Sequence, residues 1–384
     1  MENVGEGWRF PHIPQPPEWT VEWEAIAARF AWVRALAETP QEPAHHAEGD
    51  VATHTRKVVE ALAGMEAWRA LPADERGITF AAALLHDVAK PARTRVEPDG
   101  RITSPGHARL GERLARAILW GGDGLDAPAP LPARETICAL VRFHGLPLWL
   151  LDKADPVRAA VEASPRARMD LVALVAEADV RGRIAADRDA LLERVALFRA
   201  FCEEWGCLRA PYAFASDHAR FVYFHERKAD PAYAAYDDTT FEVILMSGLP
   251  GAGKDTWIAR NHPDLPVVSL DRIRRELKVA PDEDQGAVAQ AAKARARELL
   301  RRHEPFIWNA TNVTRALRGQ LVDLFASYGA RVRIVYVEAP HAELLRRNER
   351  REASVPGPVI AKLARKLEIP DLTEAQTVEW VWEE

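Results

Sequence analysis

Phe241-Glu-Val-Ile-Leu-Met-Ser247-Gly248-Leu-Pro-Gly251-Ala-Gly253-Lys254-Asp255-Thr256 decides the fold of the second half of the chain. Seven mostly apolar residues predict a buried strand, and a glycine-rich turn with G-x-x-x-x-G-K spacing follows at once. Glycines let backbone N–H groups turn inward around phosphate oxygens, and the start of the next helix adds a favourable dipole. Lys254 supplies a positive charge for the β- and γ-phosphates. Gly248, Gly251, Ala252, Gly253, Lys254, Asp255 and Thr256 are therefore the candidate ATP-binding residues, with Mg²⁺ as the accompanying ion. Asp255 stands where a Ser or Thr helps hold that ion; its carboxylate or Thr256 can take the role.

Outward from this turn, apolar runs at 266–270, 306–308 and 332–337 alternate with helical stretches at 315–327 and 342–351. Strands alternating with helices predict a parallel sheet. Asp271 closes the second run, with Arg274 one helical turn on. A carboxylate there can take the proton of an attacking hydroxyl while the guanidinium grips a neighbouring phosphate. Arg347 and Arg351, four apart, can close over ATP phosphates. Arg346 and Arg350 form an equivalent pair one step round the helix, and one pair reads as a solvated face.

Towards the N-terminus the texture is helical. Apolar residues recur at helical spacing over 53–63, 80–90, 108–119, 134–142 and 169–179, without long alternating runs, which predicts an all-α domain. Across these helices lie His54, His86-Asp87, His107, His144 and Asp179. Imidazole and carboxylate suit a borderline or hard divalent metal, and ligands from several helices can meet in a bundle core. Lys90, one turn beyond His86, can hold a substrate phosphate. His45, His46, His218 and His225 are assigned to structure or surface.

The chain has 384 residues, a net charge of −6 and three cysteines. Its length predicts two domains: 1–205, and 241–384 after an irregular, aromatic-rich linker at 206–240. Within the linker, 221–228 mixes aromatics with bases and reads as packing rather than a single-strand platform. Trp8, Trp19, Trp23 and Trp32 read as core. Three cysteines cannot build a disulfide framework, and no apolar run could span a bilayer, so the expectation is a cytoplasmic protein without a membrane partner. The acidic balance means that any polyanion is held by a local basic patch.

The kinase-like half resembles the phage-type 5′-hydroxyl polynucleotide kinase family through the glycine turn, Asp271-x-x-Arg274, Ala310-Thr-Asn312, Arg347-Asn-x-x-Arg351 and Val355-Pro356. Ala310 departs from the acid that often precedes Thr-Asn. The resemblance implies Asp271 as general base, Arg274 on the acceptor phosphate, and Arg347 and Arg351 in an ATP lid. The His/Asp series over 45–183 resembles the HD phosphohydrolase superfamily, including the HD domains attached to tRNA nucleotidyltransferases. It implies His54, His86, Asp87 and Asp179 as core ligands, His107 and His144 as additions of a two-metal branch, and one or two divalent ions (Mn²⁺, Ni²⁺, Co²⁺, Zn²⁺ or Fe²⁺). Together the halves resemble bacterial HD-domain polynucleotide kinases. That implies ATP-dependent phosphorylation of 5′-OH ends of RNA or DNA, removal of 2′,3′-cyclic phosphate or 2′-phosphate, and a nucleic-acid ligase as partner. The alternative expectation is a nucleoside or sugar kinase fused to an HD nucleotide phosphohydrolase.

Overall fold

A computed structural model describes residues 8–226, 230–279, 283–350 and 354–383. The chain divides into two compact units between Ala213 and Phe214.

The first unit is helical. Asp50 accepts a hydrogen bond from the Thr53 amide at 2.7 Å and so caps the helix Val51–Gly64. That helix buries His54, Val58 and Leu62 on one stripe. The helices Ala73–Leu85 and Met169–Gly182 are buried along most of their length, because Phe80 to Leu85 and Leu171 to Ala176 are apolar on every side. Helices His107–Gly121, Leu131–Phe143 and Arg188–Glu204 pack around them. Trp8, Trp19, Trp23 and Trp32 pack, partly buried, against this core.

Two local features depart from expectation. The helix expected over 80–90 stops at Leu85, and a short helix, Lys90–Arg93, starts after a turn. The amides of Val88 and Lys90 bond the carbonyls of Leu85 and Asp87, three residues back, which breaks the α-helical ladder. A two-residue hairpin, β1 (Arg95–Val96) with β2 (Ile102–Thr103), also interrupts the helices. It is too short to leave an alternating pattern in the sequence.

The second unit is an α/β domain with a five-stranded parallel sheet. Its strands are β3 (Phe241–Ser247), β4 (Val267–Ser269), β5 (Phe306–Asn309), β6 (Ala330–Glu338) and β7 (Thr377–Trp382), in the order β4-β5-β3-β6-β7. All four pairings are parallel, with the glycine-turn strand β3 at the centre. Strand β7 was not expected: it lies at the sheet edge and is only half-buried, so Thr377 to Trp382 lack a continuous apolar run. Within 206–240, expected to be irregular, the structure has a helix, Asp217–His225, capped by Ser216. Phe221 and Val222 belong to the core of the second unit, and Arg220 donates to the carbonyls of Leu372 at 2.9 Å and Gln376 at 2.6 Å.

Candidate functional site

In the second unit, β3 delivers residues 248–253 to the N-terminus of the helix Lys254–Asn261. Gly248 has φ +141°, and a Cβ there would stand 2.3 Å from the Val337 carbonyl oxygen, so conformation and space both demand glycine. The Gly248 amide is tied to the Thr311 carbonyl at 2.9 Å. Asn312 Nδ2 donates to the Met246 carbonyl at 2.7 Å, so the Ala310-Thr-Asn312 segment braces the central strand.

The turn opens onto a cavity of about 640 Å³, also lined by Asp255, Thr256, Asp271, Arg274, Asn309, Glu338 and Arg347. Lys254 Nζ donates to the carbonyls of Gly248 and Leu249, both at 2.9 Å, which holds the ammonium over the loop. Asp255 Oδ1 accepts from Asn309 Nδ2 at 2.6 Å, so the carboxylate at the unusual position is oriented by the end of β5. Thr256 follows in the first turn of the same helix.

Asp271 does not end a strand. It is the second residue of the helix Leu270–Leu277, which Ser269 caps, and it pairs with Arg274 Nη1 at 2.6 Å. Arg274 Nε also donates to Gln285 at 2.7 Å. Arg347 is held by Glu343 at 2.7 Å and pairs with Glu383, while Arg346 pairs with Glu343 outside the cavity lining. Arg351 lies outside the described residues. Asn348 clips the chain beyond it, exchanging hydrogen bonds with the Val355 backbone at 2.7 and 3.0 Å.

In the first unit the six His and Asp side chains named from the sequence converge. His54 Nε2 is 3.0 Å from Asp179 Oδ1 and 3.9 Å from Asp87 Oδ2. His86 Nε2 is 3.1 Å from Asp87 Oδ2, and His107 Nε2 is 3.4 Å from both Asp87 Oδ1 and His144 Nε2. Two compact donor sets result, His54/His86/Asp87 and Asp87/His107/His144, sharing the Asp87 carboxylate.

The orientation of each ring is fixed from behind. His86, His107 and His144 direct Nδ1 at the carbonyls of Ala83, Ser104 and Val141, at 2.7, 2.8 and 2.8 Å. A carbonyl only accepts, so each Nδ1 carries the proton and each Nε2 of the neutral ring keeps its lone pair for the centre. His54 Nδ1 meets Glu48 Oε1 at 2.8 Å, which leaves its Nε2 facing Asp179. Buried His86 Nε2 and Asp87 Oδ1 form no hydrogen bond among the described residues. Imidazole lone pairs and carboxylates thus converge in a buried core, and the chemistry of this donor set fits one or two divalent ions.

The electrostatics agree. Burial alone would raise Asp87, but His86 and Lys90 outweigh it and hold its carboxyl well below the usual range. Asp179 is likewise low despite burial, owing to Arg183 and His54. Burial would lower His86, yet the charge of Asp87 raises it. His144 is pushed down to about 3 by burial and by the neighbouring His86 and His107.

Lys90 Nζ lies 2.7 Å from Asp87 Oδ2 and 2.6 Å from Gln41 Oε1, so its first partner is the shared carboxylate. Arg183 forks onto Asp179 at 2.6 and 3.1 Å. Glu48, Gln41 and Arg183 were not among the candidate residues. His46, assigned to structure or surface, shares Glu48 with His54 at 2.8 Å and stacks edge-on against the His54 ring. Glu48 lies in the irregular segment before the Asp50 cap, where no periodicity marks an inward residue. Its one signal lies in the stretch Glu48 to Val51, which is similar to the HD domains attached to tRNA nucleotidyltransferases.

Comparison with known proteins locates the second unit. Residues 243–370 match the AAA domain family. This part of the chain is a P-loop kinase domain by fold. The chain is 38% identical over 120 residues to a multifunctional CCA protein of Halorhodospira halophila, covering 31% of this chain and 25% of that protein. It is 24% identical over 135 residues to an L-seryl-tRNA(Sec) kinase of Methanococcus maripaludis, covering 33% of this chain and 53% of the relative. The chain thus spans between a quarter and about half the length of these curated relatives. Similar solved structures include a sugar kinase from Janibacter, at 16% identity and TM-score 0.30, covering 37% of this chain and 86% of the other. A gluconokinase from Sinorhizobium meliloti matches at 21% identity and TM-score 0.27, covering 38% and 83%. Among the described residues, no helix is long and apolar enough to cross a membrane.

Proposed function

We propose that the chain heals nucleic-acid ends with two independent sites. The P-loop domain transfers the γ-phosphate of ATP to a 5′-OH, and the helical unit hydrolyses a 2′,3′-cyclic phosphate or 2′-phosphate. The observation that carries this reading is the Asp87 carboxylate shared between two sets of imidazoles, three anchored by backbone carbonyls and His54 by Glu48. A P-loop in the same chain supplies the complementary chemistry, and one curated relative is named as a kinase of L-seryl-tRNA(Sec).

In the helical unit, His54, His86, Asp87 and Asp179 would hold one cation, and Asp87, His107 and His144 a second. Such ions would lower the pKa of a bound water and polarise a phosphoryl oxygen. Glu48 and the three backbone carbonyls keep the rings aimed inward, and Arg183 keeps Asp179 ionised. His107, with a side chain 26% exposed, is the most open of the six and faces the entering phosphate. Lys90 neutralises charge beside Asp87.

In the P-loop domain, Lys254 and the amides of the glycine turn bind the nucleotide phosphates. Asp255, oriented by Asn309, holds the hydrated Mg²⁺ that accompanies ATP. Asp271 accepts the proton of the attacking 5′-OH, Arg274 positions that carboxylate and the acceptor phosphate, and Arg347 with Arg351 neutralises the transferred phosphoryl group. A labelled oligonucleotide bearing a 5′-OH and a 2′,3′-cyclic phosphate, incubated with ATP and a series of divalent metals, tests the proposal. Both ends should change. Phosphorylation of nucleosides or sugars with both oligonucleotide ends untouched would favour the small-molecule kinase reading instead.

A further inference from the structure

The helices His107–Gly121 and Leu131–Phe143 carry a concentration of arginines that the two sites do not use. Arg142 is the unusual member. Its guanidinium makes no hydrogen bond among the described residues; its nearest carboxylate oxygen, Glu112 Oε2, is 3.7 Å away. Glu112 is already taken by Arg166 at 2.5 Å and Arg116 at 3.1 Å. Arg166 and Arg109 stand close enough to Arg142 to act on it as like charges, with Glu162 as the other nearby acid. Arg116 and Arg134 share Glu135 at 2.7 and 2.8 Å. Arg116, Arg134 and Glu135 are buried in the core, whereas Arg142 stands among Arg166, Arg109, Glu112 and Glu162, a basic spot on a chain whose net charge is −6.

The half-buried Phe143 ring packs against the helical core and holds two of these cations at one spot, with Arg142 at 5.6 Å and Arg166 at 5.2 Å from its centroid. Guanidinium groups gathered in this way offer charge and hydrogen bonds to phosphodiesters. The position is apt, because Phe143 directly precedes His144 and Arg109 lies two residues beyond His107. We infer that Arg142 and Arg166, gathered on the Phe143 ring, form a docking patch for the single-stranded backbone whose terminal phosphate enters the His/Asp centre. This rests on the nucleic-acid reading of the helical unit and adds the path by which the strand arrives. Arg142, which makes no hydrogen bond among the described residues, contacts a phosphodiester beside the one that Arg166 faces.

The test compares hydrolysis of a mononucleotide 2′-phosphate with that of a ten-nucleotide single strand carrying the same terminus. The proteins are the metal-loaded wild-type chain and its Arg142→Gln and Arg166→Gln variants. Arg142→Gln removes no hydrogen bond within the protein, so it is the decisive variant, and Arg166→Gln is read beside its circular dichroism spectrum and metal content. For each variant, KM for the oligonucleotide should rise about tenfold, and the log–log salt slope of its binding should fall by roughly 0.7, the value for one phosphate contact on a single strand. Mononucleotide hydrolysis should not change. An unchanged oligonucleotide KM and salt slope in Arg142→Gln, or equal losses on both substrates, would overturn the patch. Should the wild-type chain hydrolyse neither substrate, nor the same strand ending in a 2′,3′-cyclic phosphate, the phosphohydrolase reading falls, and the salt slope of direct oligonucleotide binding still decides whether Arg142 contacts a strand.

Discussion

Gly182 sets the distance between the helices that carry His54 and Asp179, and adding one methyl group there should separate them. A Cβ at Gly182 would lie 2.7 Å from Val58 Cγ2, 2.8 Å from Val58 N and 3.0 Å from Val58 Cα. Two of these neighbours are backbone atoms, so no rotamer change relieves the clash. Restoring ordinary contact distances moves the helices Met169–Gly182 and Val51–Gly64 apart by roughly 0.6 Å. His54 lies one turn before Val58 and Asp179 one turn before Gly182, so their 3.0 Å approach depends on the same crossing. Metal ligands tolerate errors of only about 0.2 Å. Gly182→Ala should therefore lower metal affinity on the order of 10–100-fold, as loss of a supporting contact does. Overpacking should reduce apo stability by about 1–3 kcal/mol, exceeding any helix-propensity gain at this last helical residue. Calorimetric metal titration, thermal melting of the apo protein and assays of both activities measure these effects, and kinase activity should persist. Wild-type metal affinity in a Gly182→Ala protein of undiminished stability would refute the argument that this crossing spaces the ligands.

Four further outcomes follow from the same geometry. Lys254→Ala should abolish phosphorylation of a 5′-OH and leave removal of the cyclic phosphate intact; loss of both in a folded protein would contradict independent sites. Asp271→Asn should reduce kcat for phosphoryl transfer about 100-fold or more with little change in ATP affinity, since proton acceptance rather than nucleotide binding is removed; equilibrium ATP titration separates the two. Asp87→Asn should cost both cations at once, because one carboxylate serves both donor sets, and metal content by mass spectrometry should approach zero; retention of two ions would rule out the sharing. Glu135 supplies a pH test remote from the metals. Burial opposes its ionisation, but Arg116 and Arg134 bring its pKa down to about 2 from 4.5. Because the folded value is depressed, the stabilisation is complete above pH 4.5 and fades as pH falls towards 2. Glu135→Gln should cost about 3 kcal/mol at pH 7 in urea unfolding, with a gap from wild type that narrows below pH 4.5; a constant gap down to pH 3 would contradict the assignment.

Much of this protein was legible because its signals are local. The strand, glycine turn and helix of the P-loop follow one another within 21 residues, Phe241 to Asn261, and each step has its own composition. The helical periodicity of the first unit likewise exposed its long helices, and the order of His and Asp residues picked out six side chains that converge. Strand β7 escaped because an edge strand buried on neither face carries no apolar run. The break after Leu85 escaped because Val88 and Lys90 remain helix-compatible residues, and only the hydrogen bonding of the turn ends the ladder.

The sequence alone determined which chemical groups are available: imidazoles, carboxylates, a lysine at a glycine turn, and the elements that carry them. Tertiary structure decided which groups meet and how they point. His54 and Asp179 are 125 residues apart, and their contact exists only because Gly182 permits a close helix crossing. Backbone carbonyls at helix ends select the nitrogen that each histidine presents, and Glu48 does so for His54 from an irregular segment. Hydrogen-bond direction and helix separation are properties of packed backbone, so residue spacing cannot encode them by itself.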